Sequence, residues 1–242
     1  MKIGLQLWSV FQESMNDLLG TLEKVAKMGY DGVEFAGYFD HTASEIKAKL
    51  EELNLEISSS HIPFERLRDE IDAVIAFEKE LGNPYIVCPY ATFETVEEWL
   101  PFINELAEIN QKIKDAGLTF IYHNHAEEFQ KLEDGYIFDA ILKKVDKAEI
   151  DVYWAEFAGV DPVSYLQQYS GRTPLVHIKD MDETKDKSTE VGNGILDIKA
   201  IVNQAEIGGA EWLIVEQEAF TKPTLESVEI GLKNLKELMN RD

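Results

Sequence analysis

The chain has 242 residues and is 45% hydrophobic, enough to bury the core of one large domain. Its 46 acidic and 23 basic residues give a formal net charge of −23 at pH 7. Such a chain repels the phosphates of nucleic acids and anionic lipids, so neither a nucleic-acid nor a membrane partner is expected. Cys88 is the only cysteine, and the N-terminus lacks the apolar stretch of a signal peptide. We therefore expect a single domain over residues 1–242, located in the cytoplasm.

Short apolar runs alternate with longer amphipathic stretches along the whole chain. The runs predict strands at 3–8, 31–35, 55–60, 84–88, 118–123, 148–154, 174–179 and 212–216. The amphipathic stretches predict helices at 14–28, 43–53, 65–81, 94–115, 135–145, 162–170, 197–207 and 223–240. Strands separated by helices favour right-handed crossovers and a parallel sheet. Eight such units in strict alternation predict an α/β fold, a single (β/α)8 TIM barrel.

Glycine and proline mark the predicted boundaries. Gly29 and Gly117 stand where a helix should end before a strand, and Asp161-Pro162 combines an N-cap acid with a first-turn proline. An open, doubly wound sheet is the competing architecture. That fold usually has a glycine-rich turn after its first strand, whereas Trp8-Ser9-Val10-Phe11 follows the first strand here. The barrel is therefore favoured.

Histidines cluster where the predicted strands end. In a barrel of this type the active site lies at the C-terminal ends of the strands. Four of the five histidines fall there (His61, His123, His125 and His177), and only His41 lies elsewhere, at the start of a helix. Barrel strands normally supply aliphatic side chains to the core, so buried imidazoles and carboxylates at these positions need polar partners.

One divalent metal would satisfy several of these side chains together. His123, Asp151, His177 and Glu216 come from four consecutive predicted strands and could converge on one point. Two imidazoles and two carboxylates suit Mn2+, Co2+, Zn2+ or Fe2+ better than Ca2+, and Mn2+ is the first candidate. The alternative is that each histidine is a neutral, hydrogen-bonded group of a pocket.

Six motifs of the chain resemble those of the xylose-isomerase-like barrels. This is the superfamily of sugar phosphate isomerases/epimerases, which also contains inosose dehydratases, ketose 3-epimerases and endonuclease IV. The resemblance covers essentially the whole chain and implies a small sugar or polyol as substrate. The motifs are Gly32-Val33-Glu34-Phe35, Tyr122-His123-Asn124-His125, Asp151-Val152-Tyr153-Trp154, Val176-His177-Ile178-Lys179-Asp180, Val191-Gly192-Asn193-Gly194 and Trp212-Leu213-Ile214-Val215-Glu216-Gln217-Glu218.

The resemblance also implies a set of metal ligands. In the epimerase members these are a Glu on strand 5, an Asp on strand 6, a His on strand 7 and a Glu on strand 8. Asp151, His177 and Glu216 match the last three, whereas strand 5 has His123 instead of Glu. His123 keeps a metal ligand there but removes one of the two carboxylates that the epimerases place on opposite faces of the substrate. Trp154 stands where the epimerases carry a second histidine.

The chemistry that the resemblance implies is removal of a proton from a carbon next to a carbonyl, with a metal stabilising the enediolate. Glu216 is the first candidate for the base, in addition to its role as a ligand. If Glu216 serves only as a ligand, His61 or Glu34 is the base. The alternative for Glu34 is an ion pair within the mouth of the barrel.

Four further side chains have candidate roles around the substrate. Lys179 follows His177 by two residues and therefore faces the same side of a strand, where it could stabilise an oxyanion or bind a hydroxyl group. Its alternative is an ion pair with Glu156 or Glu218. His125 could contact the substrate. Trp8 and Trp154 could stack on the C–H face of a sugar, with core packing as the alternative for both.

The leading functional prediction is a metal-dependent isomerase or epimerase of a free sugar or keto-polyol. A lyase that dehydrates a keto-inositol or cleaves a 3-keto-glycoside shares the enolate step and is the first alternative. A non-catalytic sugar-binding barrel is the second, and the net charge disfavours a nuclease.

The segment 181–194 bears on the substrate as well. Its acidic side chains would repel a phosphate, so an uncharged substrate is expected, and its length suggests a lid over the site. A homodimer formed through the helical layer is a further option.

Overall fold

The computed structural model describes residues 1–239 and contains a closed barrel of eight parallel strands. Each strand pairs with the next one in chain order, and the eighth pairs with the first. This arrangement confirms the predicted (β/α)8 TIM barrel. The strands are β1 (Lys2–Gln6), β2 (Gly32–Phe35), β3 (Glu56–His61), β4 (Tyr85–Cys88), β5 (Thr119–His123), β6 (Lys147–Asp151), β7 (Leu175–Ile178) and β8 (Trp212–Val215).

Helices follow the strands and cover the outside of the barrel. Their apolar faces enter one large buried cluster, to which Leu22, Leu106 and Leu232 belong. Within residues 1–239 no helix is both long and apolar enough to cross a membrane. The helices are α1 (Phe11–Asn16), α2 (Leu18–Met28), α3 (Ala43–Leu53), α4 (Phe64–Asp69), α5 (Ile71–Leu81), α6 (Val96–Asp115), α7 (Ile137–Leu142), α8 (Val152–Phe157), α9 (Pro162–Gln168), α10 (Ile198–Ile207) and α11 (Thr224–Leu238).

The structure corrects several predicted boundaries. The helix predicted over 14–28 is interrupted at Asp17, whose side chain caps α2 at the backbone N–H of Gly20. The helix predicted over 65–81 is likewise two helices, α4 and α5. The helix predicted over 135–145 is reduced to α7 and follows a short hairpin over 131–136. The last predicted helix extended to residue 240, which lies outside the described residues.

The prediction of strand 148–154 made the sixth strand too long. It ends at Asp151, and Val152-Tyr153-Trp154 begins α8 instead of continuing the strand. The physical reason is local, because the Asp151 carboxylate accepts the backbone N–H of Trp154 at 2.9 Å and so caps the helix. Val152 and Tyr153, which suggested a buried strand, are instead buried residues of this short helix.

A small apolar cluster fills the barrel interior beneath the mouth. It comprises Val87, Ile121, Leu175, Trp212 and Ile214, which occupy alternate positions of four strands. The Trp212 ring extends past β1 to β2. A Cβ at Gly32 would lie only 2.7 Å from the Trp212 ring and 2.6 Å from the Glu56 carbonyl oxygen, so glycine at this position leaves room for the ring. The next inward positions towards the mouth are polar and form the candidate site.

The segment after β7 is attached to the end of the barrel through Asp180. Its buried carboxylate accepts backbone N–H groups from Gly192 at 2.9 Å, Gly194 at 3.0 Å and Leu196 at 3.2 Å. At Gly194 a Cβ would lie 2.2 Å from the carbonyl oxygen of Met181. The Gly-Asn-Gly motif is therefore explained by close backbone packing, and these anchors argue against a freely moving lid.

Candidate functional site

Polar side chains occupy the inward positions at the C-terminal ends of the barrel strands. Except for His61, which is partly exposed, they are buried, and burying so many ionisable groups is costly unless opposite charges or a cation compensate them. They are Gln6, Glu34, Ser59, His61, His123, Glu149, Asp151, His177, Lys179 and Glu216.

Four of these side chains form an outer group at the mouth: His123, Asp151, His177 and Glu216. One potential ligand atom from each lies within 4.8 Å of all the others. Asp151 Oδ2 is 3.7 Å from His123 Nε2 and 3.8 Å from His177 Nδ1, and His177 Nδ1 is 3.2 Å from Glu216 Oε2. The structure thus brings together the four residues that the sequence singled out as metal ligands.

The donor set fits a divalent cation. His123 Nε2 is buried and has no hydrogen-bond partner among residues 1–239. Asp151 Oδ2 is also buried and makes no hydrogen bond there, although the Lys179 ammonium lies 3.1 Å from it. Their 3.7 Å separation is too long for a hydrogen bond but close to the spacing of about 3.4 Å between two ligands of a tetrahedral metal with bonds of about 2.1 Å. A cation between them would satisfy both atoms at once.

His123 is held in the orientation that metal binding requires. Its Nδ1 lies 2.6 Å from the carbonyl oxygen of Pro89. Since a carbonyl only accepts hydrogen bonds, Nδ1 carries a proton, which leaves Nε2, on the side of Asp151, as the nitrogen that can bind a metal. Metal-binding histidines commonly use a backbone carbonyl in this way.

A second, inner group lies next to the outer one and shares His177. It comprises Glu34, His61, Glu149 and His177, again with ligand atoms within 4.8 Å of one another. Glu149 was not among the predicted site residues. Its spacing from Asp151 could have identified it, because Glu149 lies two residues before Asp151 and therefore on the same face of β6. Glu34 is fully buried and binds Gln6, Ser59 and His177, so it lies beneath the cavity and not within it.

Lys179 supplies positive charge to the mouth. Its ammonium group lies 3.1 Å from Asp151, 2.9 Å from Glu216 and 3.0 Å from Glu218. Burial by itself would lower the pKa of Lys179, but these carboxylates raise it far above its usual range, so the side chain stays charged. The ion pair with Glu218 that the sequence offered as an alternative is therefore present, together with two contacts to outer-group carboxylates.

The other two histidines of the mouth differ in charge. Although burial opposes the charged form, the carboxylates of Glu34 and Glu149 raise the pKa of His61 to about 9. Burial, with smaller contributions from His123 and Lys179, lowers the pKa of His125 to about 3. At neutral pH His61 is thus a proton donor and His125 is a neutral ring.

A cavity of about 1050 Å3 opens above the outer group, and His61, His123, His125 and Glu216 line it. Trp8 and Trp154 also line it. The side chain of Trp8 is 53% exposed, so the core-packing alternative is wrong for this residue. Aromatic walls combined with a few polar groups are typical of small-molecule sites, and the lining here also includes the charged residues Glu65, Arg66, Arg68 and Glu218. Other aromatic residues of the wall are Tyr38, Phe64, Tyr90 and Phe93.

The fold and the polar mouth define a class of barrel, and comparison of the sequence with known protein families identifies that class. The family profile of the xylose isomerase-like TIM barrel matches residues 22–238. The chain therefore belongs to this family, which confirms the resemblance drawn from its motifs.

Proteins with several different names are similar to this chain. An inosose dehydratase of Clostridium beijerinckii is 22% identical, over 81% of this chain and 80% of its own length. A sugar phosphate isomerase/epimerase of Parabacteroides distasonis has a structure that is 27% identical, with a TM-score of 0.81 over 98% of this chain and 95% of the other. The IolI protein, solved with a zinc atom bound, is 17% identical and shares the fold, with a TM-score of 0.76 over 99% and 98% of the two chains.

Proposed function

We propose that this protein is a metal-dependent enzyme that removes a proton next to the carbonyl group of a free sugar or keto-polyol. The observation that carries the proposal is the outer group, in which His123 Nε2, buried and without a hydrogen-bond partner among residues 1–239, faces Asp151 Oδ2 at 3.7 Å. A divalent cation held by the outer group would supply Lewis-acid stabilisation of the negative charge that develops on the substrate oxygen.

Glu216 is the base in this proposal. It reaches the cavity, and its carboxylate is oriented by Lys179 at 2.9 Å. Burial alone would raise the pKa of Glu216, but Lys179 and His177 bring it far below its usual range, so the carboxylate is ionised at neutral pH. Lys179 adds buried positive charge next to this carboxylate, and His61 reaches the cavity as a proton donor.

Isomerisation is the outcome that these groups support first. Moving a proton between adjacent carbons on one face of an enediolate needs a single base, whereas epimerisation of the epimerase type needs a second base on the opposite face. His123 stands where the epimerases have that second carboxylate. We therefore place isomerisation of an uncharged keto sugar ahead of epimerisation.

A lyase is the second candidate, and a specific observation favours it. Eliminating a hydroxyl group needs an acid as well as a base, and His61 faces the cavity with its pKa raised to about 9. The inosose dehydratases among the relatives support the same reading. A keto-inositol is then the first substrate to test.

A deuterium-exchange experiment separates these possibilities. Metal-loaded protein is incubated with keto sugars and keto-inositols in D2O, and NMR follows deuterium uptake next to the carbonyl and the products formed. We expect exchange that Glu216→Gln abolishes, with an isomer or an unsaturated product revealing the outcome. Ligand binding without exchange in any substrate, unaffected by chelators, would leave the non-catalytic sugar-binding barrel.

Further expectations accompany the proposed function. We propose that the protein is a single domain located in the cytoplasm and has no nucleic-acid or membrane partner. We propose Mn2+ as the metal, with Co2+, Zn2+ or Fe2+ as alternatives. A homodimer is a further option, and light scattering of the purified protein tests it. Failure to cleave a duplex that contains an abasic site tests the exclusion of a nuclease.

A further inference from the structure

His177 lies between two sets of carboxylates, one at each ring nitrogen. Nδ1 faces the outer group, 3.2 Å from Glu216 Oε2 and 3.8 Å from Asp151 Oδ2. Nε2 faces the inner group, 2.7 Å from Glu34 Oε1 and 3.3 Å from Glu149 Oε1. The ring is fully buried, and although burial opposes its charged form, Glu149 and Glu34 raise the pKa of His177 well above its usual range. A cation that binds at Nδ1 would therefore take the place of a proton there, while the carboxylates at Nε2 keep the other proton.

A neutral imidazole can bind a metal through only one nitrogen, because the other carries the proton. If Nε2 is protonated, Nδ1 presents a lone pair to the outer group. If Nδ1 is protonated, an N–H bond points at the place a cation would occupy. The acceptors on the Nε2 side therefore determine whether the outer group can bind metal.

Glu34 is built to be such an acceptor. Its Oε1 also accepts from Gln6 Nε2 at 2.5 Å, and its Oε2 accepts from the Ser59 hydroxyl. The carboxylate is thus fixed by β1 and β3 before it meets His177 of β7. Its donors are all on the inner side of the site, so Glu34 does not compete with a cation for the outer group.

Glu149 completes the inner group from the other side. Its Oε2 lies 2.8 Å from His61 Nε2, while its buried Oε1 has no hydrogen-bond partner within residues 1–239 and lies 3.3 Å from His177 Nε2. Glu34 Oε1 is 3.0 Å from the same nitrogen of His61. Both carboxylates therefore contact both histidines, and the two rings stack at a centroid distance of 5.4 Å and an angle of 4°.

We propose that Glu34 and Glu149 are positioning residues that accept the Nε2 proton of His177, so that its Nδ1 lone pair is presented to a metal. The same pair holds His61 by Nε2, which leaves the rest of that ring facing the cavity. A metal ligand and a cavity-lining histidine are thus oriented by one pair of buried carboxylates. The inference rests on the metal group of the proposed function, but not on any particular reaction.

Metal affinity and histidine NMR test the proposal. The variants Glu34→Gln and Glu149→Gln keep the side-chain shape but remove a charged acceptor, and we expect Zn2+ affinity in a chelator competition to fall by about 10- to 100-fold. In Zn2+-loaded wild type, the 15N shifts of His177 should show a protonated Nε2 and a coordinated Nδ1. The matched control is Glu78→Gln, a buried glutamate bound to Tyr38 and Asn83, which should change neither readout.

The possible results of these experiments distinguish the proposal from its alternatives. Unchanged Zn2+ affinity and unchanged His177 shifts in both variants would overturn the proposal. So would two equivalents of Zn2+ in the wild type with one lost selectively in Glu149→Gln, because the inner group would then bind a cation itself. If neither variant folds, Ser59→Ala removes only a hydroxyl that holds Glu34 and should weaken Zn2+ binding by a smaller factor. Lowered affinity in a protein that turns over no keto sugar would support this inference while refuting the proposed function.

Discussion

At the scale of single residues, the outer group depends on how its two histidines are oriented. His123 gives its Nδ1 proton to the carbonyl of Pro89, and His177 contacts Glu34 through Nε2. Both rings therefore direct the opposite nitrogen to the same point. A histidine that lacked such an acceptor would be free to turn its proton towards the cation.

Removing one ligand should remove the metal. We expect wild-type protein to carry close to one equivalent of Mn, Co, Zn or Fe after reconstitution, and His177→Ala to carry almost none, because three ligands with an empty fourth position bind far more weakly. Mass spectrometry of the purified proteins measures this. His41→Ala is the control and should keep its metal, because His41 belongs to neither the outer nor the inner group. Metal-free wild type would contradict the proposed function.

At the scale of elements, Glu128 joins the segments that follow β4 and β5. It is fully buried, accepts from the Tyr122 hydroxyl at 2.8 Å and the backbone N–H of His125 at 2.9 Å, and lies 3.4 Å from the backbone nitrogen of Ala91. It thus helps to orient the segment that carries His125. Burial raises the pKa of Glu128 to about 7 despite these hydrogen bonds.

This raised pKa makes stability depend on pH. The folded state binds the proton more tightly than the unfolded state, so the associated stability is present below pH 4.5 and is lost as pH rises through about 7. The loss amounts to about 3 kcal/mol. Urea unfolding at several pH values should show a decline that Glu128→Gln lacks, while the exposed neighbour variant Glu127→Gln keeps it. Parallel curves for wild type and Glu128→Gln would refute this assignment.

The segment after β7 allows a second test at this scale. In Gly194→Ala the new methyl group would lie 2.2 Å from the Met181 carbonyl oxygen and 2.3 Å from Asp180 Oδ1, so the segment must shift and lose hydrogen bonds. We expect a cost of about 1–3 kcal/mol, visible as a Tm lowered by several degrees. Gly4→Ala is the comparison, because its Cβ would meet side-chain atoms no closer than 3.5 Å. Equal Tm changes in the two variants would contradict the close packing at Gly194.

At the scale of the whole molecule, the charge of −23 opposes the compact state. Salt screens repulsion between exposed charges over about 10 Å at 0.1 M ionic strength. Tm should therefore rise by several degrees between 10 mM and 300 mM NaCl, measured by calorimetry near pH 7. KCl should give the same increase, because the effect is screening and not binding of one ion. A Tm that falls with salt would mean that attractive surface pairs outweigh the net repulsion.

The sequence by itself determined the barrel and the order of its strands and helices, because these follow from local patterns. Apolar runs and amphipathic stretches alternate with the periods of strands and helices, and strict alternation then favours a parallel barrel. The four residues of the outer group were found because each lies in the C-terminal part of a predicted strand. A local feature also explains the error at Val152-Tyr153-Trp154, since capping by Asp151 outweighed the hydrophobic run that resembled a strand.

Only the tertiary structure decided how the inner group is arranged. Glu34 and His177 are 143 positions apart in sequence, and their 2.7 Å contact exists because closure of the barrel through β8 and β1 brings β2 and β7 around the same interior. Glu149 lies beside the predicted Asp151, but its partners come from β3 and β7, which no local pattern specifies. Which nitrogen of His177 faces the outer group likewise depends on acceptors supplied by distant strands. Such contacts are set by the closure and stagger of the barrel, and a one-dimensional pattern does not encode those quantities locally.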